Sequence, residues 1–113
     1  MTKRAQRLTS PRDFRQTFAA GERAHTRHLT CVGTRSSAAG PARVGVTASK
    51  RVGPAVHRNR AKRRIREAVR TILPEVPNGC ALVVIAKPEA DRVDFHILEE
   101  ELRSAIGSLW GEQ

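Results

Sequence analysis

The chain has 113 residues, 21 of them Lys or Arg against 11 Asp or Glu, giving a formal net charge of +10. This length supports one domain, residues 1–113, whose core would remove roughly two-thirds of the unfolded surface from water. The longest apolar run, residues 80–86, falls far short of the roughly 20 residues a membrane span needs, and no apolar segment follows the N-terminal charges as a secretory signal would require. A membrane protein, a disulfide scaffold and a large self-contained enzyme are therefore not expected.

Ser10-Pro11-Arg12-Asp13 reads as a helix start, with Ser10 as N-cap, Pro11 in the first turn and Asp13 completing a capping box. The helix is predicted to run to about Ala20 and end at Gly21 in a left-handed cap, with Phe14 and Phe18 on one face. Leu29–Thr34 is a predicted strand, with Leu29 and Cys31 on one face and Thr30 and Val32 on the other. A turn is expected over residues 36–41 and a second strand over Arg43–Ala48, with Val44, Val46 and Ala48 on one side. Residues 49–52 could extend this strand or form a short third one before Gly53-Pro54 breaks it.

Ala61, Ile65, Ala68, Val69 and Ile72 then form a single apolar stripe, the strongest helical pattern in the chain. This helix could begin at Gly53-Pro54 or near His57, and Pro74 stops it. On one continuous helix Val56 falls opposite the stripe. Pro77-Asn78-Gly79 turns into residues 80–86, an apolar run without alternation that suits a strand buried on both faces. Asp94 caps a last helix, stapled by Val93 and Leu98, whose inward face is Phe95, Leu98, Leu102, Ala105, Ile106 and Leu109. Helix, two or three strands, helix, strand, helix describes a small α+β sandwich with its helices against one sheet.

Charge is unevenly spread. Residues 50–70 carry nine basic side chains against Glu67 alone, whereas residues 89–113 carry two basic against seven acidic. Within the central helix, six pairs of cations stand three or four residues apart, and each such pair costs a few tenths of a kcal/mol. The cations also crowd the helix start, where the macrodipole favours acids. Solubility alone would not select this arrangement, so the cations are expected to serve a bound polyanion, with Arg as a fork for phosphate. At about 100° per residue, Arg58, Asn59 and Arg60 fan across more than half the circumference. Arg60, Arg63 and Arg70 point away from the apolar stripe, and Arg58 and Lys62 flank it near the sheet. These side chains cannot all reach one flat surface, so the fan suits a folded RNA approaching from more than one side, or one phosphate group and one base edge read together.

The segment Ser49-Lys50-Arg51-Val52-Gly53-Pro54-Ala55-Val56-His57-Arg58-Asn59-Arg60-Ala61-Lys62-Arg63 strongly resembles the signature of the bacterial ribonuclease P protein component. That signature runs Ser-Lys-(Lys/Arg)-x-Gly-x-Ala-Val-x-Arg-Asn-Arg-x-Lys-Arg, and the match covers nearly every fixed position. Asp13-Phe14, Phe18, Arg43-Val44-Gly45 and residues 83–86 also sit where the family would place them. The resemblance implies an α+β fold with a left-handed β-α-β crossover. It implies a subunit that joins a large catalytic RNA and assists removal of the 5′ leader from precursor tRNA, the RNA doing the chemistry with Mg2+ and the protein holding no cofactor. Carried over by position, Arg58, Asn59, Arg60, Lys62, Arg63 and Arg66 would face the catalytic RNA, and Phe14, Phe18, Lys50 and Arg51 the leader. A monomer in a 1:1 complex with the RNA is expected. One departure stands out: the family often has aromatic residues on its early strands, and this chain has none between Phe18 and Phe95.

No nucleophile-and-base pair suggests a catalytic residue, and no metal site is expected. His25, His28 and Cys31 are spaced like metal ligands, but Cys31 would point inward and no fourth ligand is apparent. Glu99, Glu100 and Glu101 favour the dipole of their helix. Cys31 and Cys80 are expected as buried thiols in the cytoplasm. The rival reading is a non-catalytic RNA-binding, RNA-chaperone or ribosome-associated protein. A DNA-binding basic helix ranks below it, because no dimerising heptad follows Arg70.

Overall fold

The computed structural model describes residues 6–8, 10–35 and 40–111. Strand β1 (Gln6–Arg7) is followed by α1 (Pro11–Ala20), β2 (Glu22–His25), β3 (Leu29–Thr34), β4 (Arg43–Ala48), α2 (Ala55–Ile72), β5 (Ala81–Ala86) and α3 (Phe95–Trp110). The sheet order is β1-β4-β5-β3-β2. β5 lies parallel to β4 and antiparallel to β3, so its non-alternating apolar sequence fills the centre of the sheet, as expected. α2 joins β4 to β5 in the β-α-β crossover.

Period-two alternation divides the strands between two cores. Leu29, Cys31, Val44, Leu82, Val84 and Ala86 join the buried stripes of α2 and α3 on one side. Val32 and Val83 join Leu8 on the other, under Phe14 and Phe18 of α1 and beside Ile85. The larger core takes Ile65 and Ile72 from α2 and Leu98, Leu102 and Ile106 from α3, each worth roughly 1.5–3 kcal/mol when fully buried. Val56 is 62% exposed, opposite the stripe.

Several local expectations are corrected. Gly21 ends α1 in extended backbone (φ −82°), not in a left-handed cap. Its missing side chain answers a steric need instead: a Cβ there would lie 2.6 Å from the Thr17 carbonyl oxygen and 2.7 Å from Val32 Cγ1. Ser10 caps α1 by accepting from the Arg12 N–H; a return bond from Asp13 is absent among the described residues. Residues Lys50–Val52 form a turn of 3₁₀ helix rather than strand, with Ser49 Oγ accepting from the Arg51 N–H. β1 and β2 have no counterpart among the strands that the sequence predicts. Both are short edge strands, and β2 (Glu-Arg-Ala-His) lacks the apolar alternation that marks a half-buried strand. Positions 36–39 of the expected turn lie outside the described residues.

A polar cluster closes the β2–β3 turn. Glu101 of α3 accepts from the Thr26 hydroxyl (2.5 Å), the His28 N–H (2.8 Å) and His28 Nδ1–H (2.5 Å). Glu101 therefore anchors the turn, a role beyond the helix-dipole effect expected for it. Cys31 and Cys80 are free and buried. Burial, reinforced by the charge of Glu101, pushes the Cys31 thiol up to about 12, which leaves it without nucleophilic character at neutral pH.

Candidate nucleic-acid interface

The turn between β4 and α2 is set by sequence. Gly53 adopts φ +132°, a conformation glycine takes readily, and Pro54 is the N-cap, its carbonyl accepting from the His57 and Arg58 N–H groups. The helix thus begins at Ala55, excluding a start near His57. No side chain caps this end and no acid occupies its first turn, so the positive pole of the helix and its arginines point the same way.

Of the six residues expected to face RNA, Asn59, Arg60, Arg63 and Arg66 are exposed, and Arg58 and Lys62 are half-buried. The sequence geometry is reproduced: Arg58, Asn59 and Lys62 line a hollow of about 250 Å³ with Ala55 and with Thr47 and Ala48 of β4. Arg58 Nε is buried there without a hydrogen-bond partner. An orphaned buried donor costs roughly 1–3 kcal/mol, and a shift of the Arg58 side chain that brings Nε to an acceptor of a bound polyanion would relieve it. Arg60, Arg63 and Arg66 stand on the outer surface, and Glu67, the one acid of α2, makes only a long 3.7 Å contact with exposed Arg70.

Arg64 behaves differently. Its guanidinium donates to the carbonyls of Ala90 (3.0 Å) and Val93, pinning the loop that follows β5. His57 Nδ1 meets the buried Asp91 carboxylate of the same loop at 2.9 Å. These two residues fix the start and middle of α2 against the rest of the domain. Arg64 is separable from its neighbours because it stands three residues after Ala61 and four before Ala68, both of the apolar stripe, but nothing in the sequence signals the His57–Asp91 pair.

The residues expected at the leader fall in two places. Phe14 and Phe18 lie 6.5 Å apart between ring centroids on the sheet-facing side of α1. Phe14 packs on bare backbone: a Cβ at Gly45 would come within 2.6 Å of its ring. Both rings are half-buried over Val32, Val83 and Ile85, and the guanidinium of Arg23, which sequence reasoning missed, sits 5.7 Å over Phe18. Lys50 and Arg51 are exposed on the 3₁₀ turn after β4. Arg51 borders a second basic hollow with Arg27, His28, Ser49, Lys87 and Glu89. No hydrogen bond or cation–π contact joins either cation to the phenylalanines among the described residues.

Among the described residues no group of three His, Cys, Asp or Glu side chains is placed to share a metal ion. No helix among them is long and apolar enough to cross a membrane.

A family model described as Ribonuclease P matches residues 2–110. The ribonuclease P protein component of Symbiobacterium thermophilum is 40% identical over 108 residues, covering 96% of this chain and 90% of that protein. The corresponding protein of Microcystis aeruginosa is 36% identical over 104 residues, covering 88% of this chain and 87% of the other. Among solved structures, the ribonuclease P protein of Thermotoga maritima matches with a TM-score of 0.79 at 28% identity, over 94% of this chain and 99% of that one. The Staphylococcus aureus protein shares the fold at a TM-score of 0.77 and 24% identity, over 93% of this chain and 95% of that one. With nearly its whole length matched and its β4–α2–β5 crossover carrying the arginine-rich signature, this chain belongs to the ribonuclease P protein component family, the protein part of a tRNA-processing enzyme complex.

Proposed function

We propose that the chain binds the catalytic ribonuclease P RNA through the outer face and first turns of α2, and the 5′ leader of precursor tRNA through the α1 face of the sheet and the turn after β4. The observation that carries the reading is the unneutralised cation fan of α2 next to a half-buried arginine whose Nε has no partner. Arg58, Asn59 and Lys62 form the concave part of that surface; Arg60, Arg63 and Arg66 form its convex rim. Phosphate contacts from the rim would set position, while the hollow takes a phosphate or a base edge in one geometry. The complex would be a cytoplasmic 1:1 assembly in which the protein raises the hold on precursor tRNA relative to mature tRNA.

The Mg2+ of the reaction is assigned, on the family resemblance, to the RNA. What the protein contributes is binding and orientation.

The test mixes the protein, its cognate ribonuclease P RNA, Mg2+ and precursor tRNA, and follows release of the 5′ leader. Release is expected with RNA present and absent with protein scrupulously freed of RNA. Cleavage by RNA-free protein would overturn the assignment of chemistry to the RNA. Tight RNA binding with no effect on leader release under any Mg2+ concentration would favour an RNA-chaperone role instead.

A further inference from the structure

The α1 face of the sheet poses a question that its sequence sharpens. If leader bases stack there, the chain must provide a flat surface, yet it has no aromatic residue between Phe18 and Phe95. Phe14 and Phe18 are partly committed to the smaller core over Val32 and Val83, and the Phe18 ring is covered by Arg23. A base arriving over Phe18 would meet this guanidinium as well as the ring.

Arg23 is positioned by the sheet. It lies on the edge strand β2 directly opposite Val32 of β3, and directly opposed residues of an antiparallel pair project to the same side. Val32 belongs to the core under α1, so Arg23 rises from the same side, beside Phe18. The side chain is exposed, and no carboxylate pairs with it among the described residues. Contact with the ring restrains a long side chain that would otherwise be free and leaves the rest of the planar group open to solvent.

We infer that Arg23 is a leader-binding residue that stacks on a base of the single-stranded 5′ leader, taking the place of a strand aromatic. The inference rests on the proposed leader face and adds to it a residue and a mode of contact. A guanidinium resting on a ring offers a base a plane and a neighbouring phosphate a charge, and it is indifferent to base identity because every base has a π-face. An exposed arginine on an edge strand can also serve only to block edge-to-edge association. The experiment separates these roles.

The experiment uses the holoenzyme assembled with ribonuclease P RNA. It measures dissociation constants for precursor tRNA with an ordinary leader, for the same precursor with abasic leader nucleotides, and for mature tRNA. Arg23→Ala is expected to weaken precursor binding by roughly tenfold, the scale of one lost stack, with mature tRNA and melting temperature unchanged. Arg23→Lys keeps the charge without the plane and is expected to lose most of the same affinity. On the abasic leader Arg23→Ala should cost nothing further. Full affinity in Arg23→Lys, or an equal loss on the abasic leader, would make the contact one of charge and overturn stacking. Equal losses for precursor and mature tRNA with a lower melting temperature would make Arg23 a structural cover and overturn the inference. Lys50→Ala, at an exposed position of the other part of the proposed leader surface, the turn after β4, keeps the two layers distinct. If Lys50→Ala discriminates precursor from mature tRNA and Arg23→Ala does not, the inference fails while the leader face stands. If neither variant discriminates, the leader face itself is wrong.

Discussion

Raising monovalent salt from about 50 to about 200 mM is expected to weaken binding of the ribonuclease P RNA by roughly 250- to 1,000-fold. If about six cations of residues 50–70 meet phosphates, log affinity falls against log salt with a slope of roughly −4 to −5. The structure favours such a count because Arg60, Arg63, Arg66 and Arg70 are exposed and Arg58 and Lys62 border an open hollow, while Arg64 is spent on the carbonyls of Ala90 and Val93. Arg60→Ala should reduce the slope by about one, and it should leave the melting temperature alone because its side chain touches no core. Arg64→Ala should do the reverse, lowering stability with little change in slope. Filter-binding titrations at several salt concentrations measure the slopes, and thermal melts the stabilities. A slope near zero would remove the electrostatic basis for placing RNA on α2.

The second large effect concerns stability. Glu101→Ala is expected to cost roughly 2–4 kcal/mol, because it strands the N–H and the ring of buried His28 and takes from the Thr26 hydroxyl its shortest bond, leaving it only Leu29. Against a total of about 5–15 kcal/mol, this should lower the melting temperature by roughly 10 °C. Burial acts to raise the Glu101 carboxyl, but hydrogen bonds from the His28 ring, the Thr26 hydroxyl and the His28 N–H outweigh it and hold the group below its ordinary value. A depressed carboxyl contributes stability that is present above its unfolded pKa of about 4.3 and is lost as pH falls through the lower folded value. The gap in melting temperature between wild type and Glu101→Ala should therefore narrow as pH drops below about 4. Calorimetry across that range checks it, and equal melting temperatures at pH 7 would refute the anchoring role.

What the sequence disclosed and what it withheld divide along a physical line. Ala61 to Ile72, Leu98 to Leu109 and residues 80–86 were readable because burial imposes a period on many residues at once. The cation fan was readable for the same reason, since a helix fixes direction by position. β2 was invisible because an edge strand with one half-buried residue carries no period. The anchoring of Glu101 by His28, 73 residues away, and of Asp91 by His57, 34 residues away, belongs to tertiary structure alone. Arg23 escaped notice because an isolated arginine in a polar stretch gains meaning only once Phe18 stands under it. The 3₁₀ turn at Lys50–Val52 reads as strand in the sequence because Val52 prolongs an apparent alternation that the Ser49 cap ends.

The order of strands in the sheet bears on how the chain is made. β3 and β4 follow one another in sequence yet do not pair; each bonds to β5, the last strand to be synthesised. Until residues 81–86 leave the ribosome, the β2–β3 hairpin on one side and β4 with α2 on the other share no strand, and neither piece has a closed core. Loop closure then comes late and all at once, which makes folding cooperative and slow relative to helical domains of this size. A fragment ending before residue 80 is expected to melt without a sharp transition by circular dichroism, unlike the full chain, and a sharp transition in the fragment would contradict this order of events. The nine cations of residues 50–70 would therefore emerge on a chain without its native shape, so that under the proposed function the nascent protein would meet RNA first as a polycation and only later as a moulded surface.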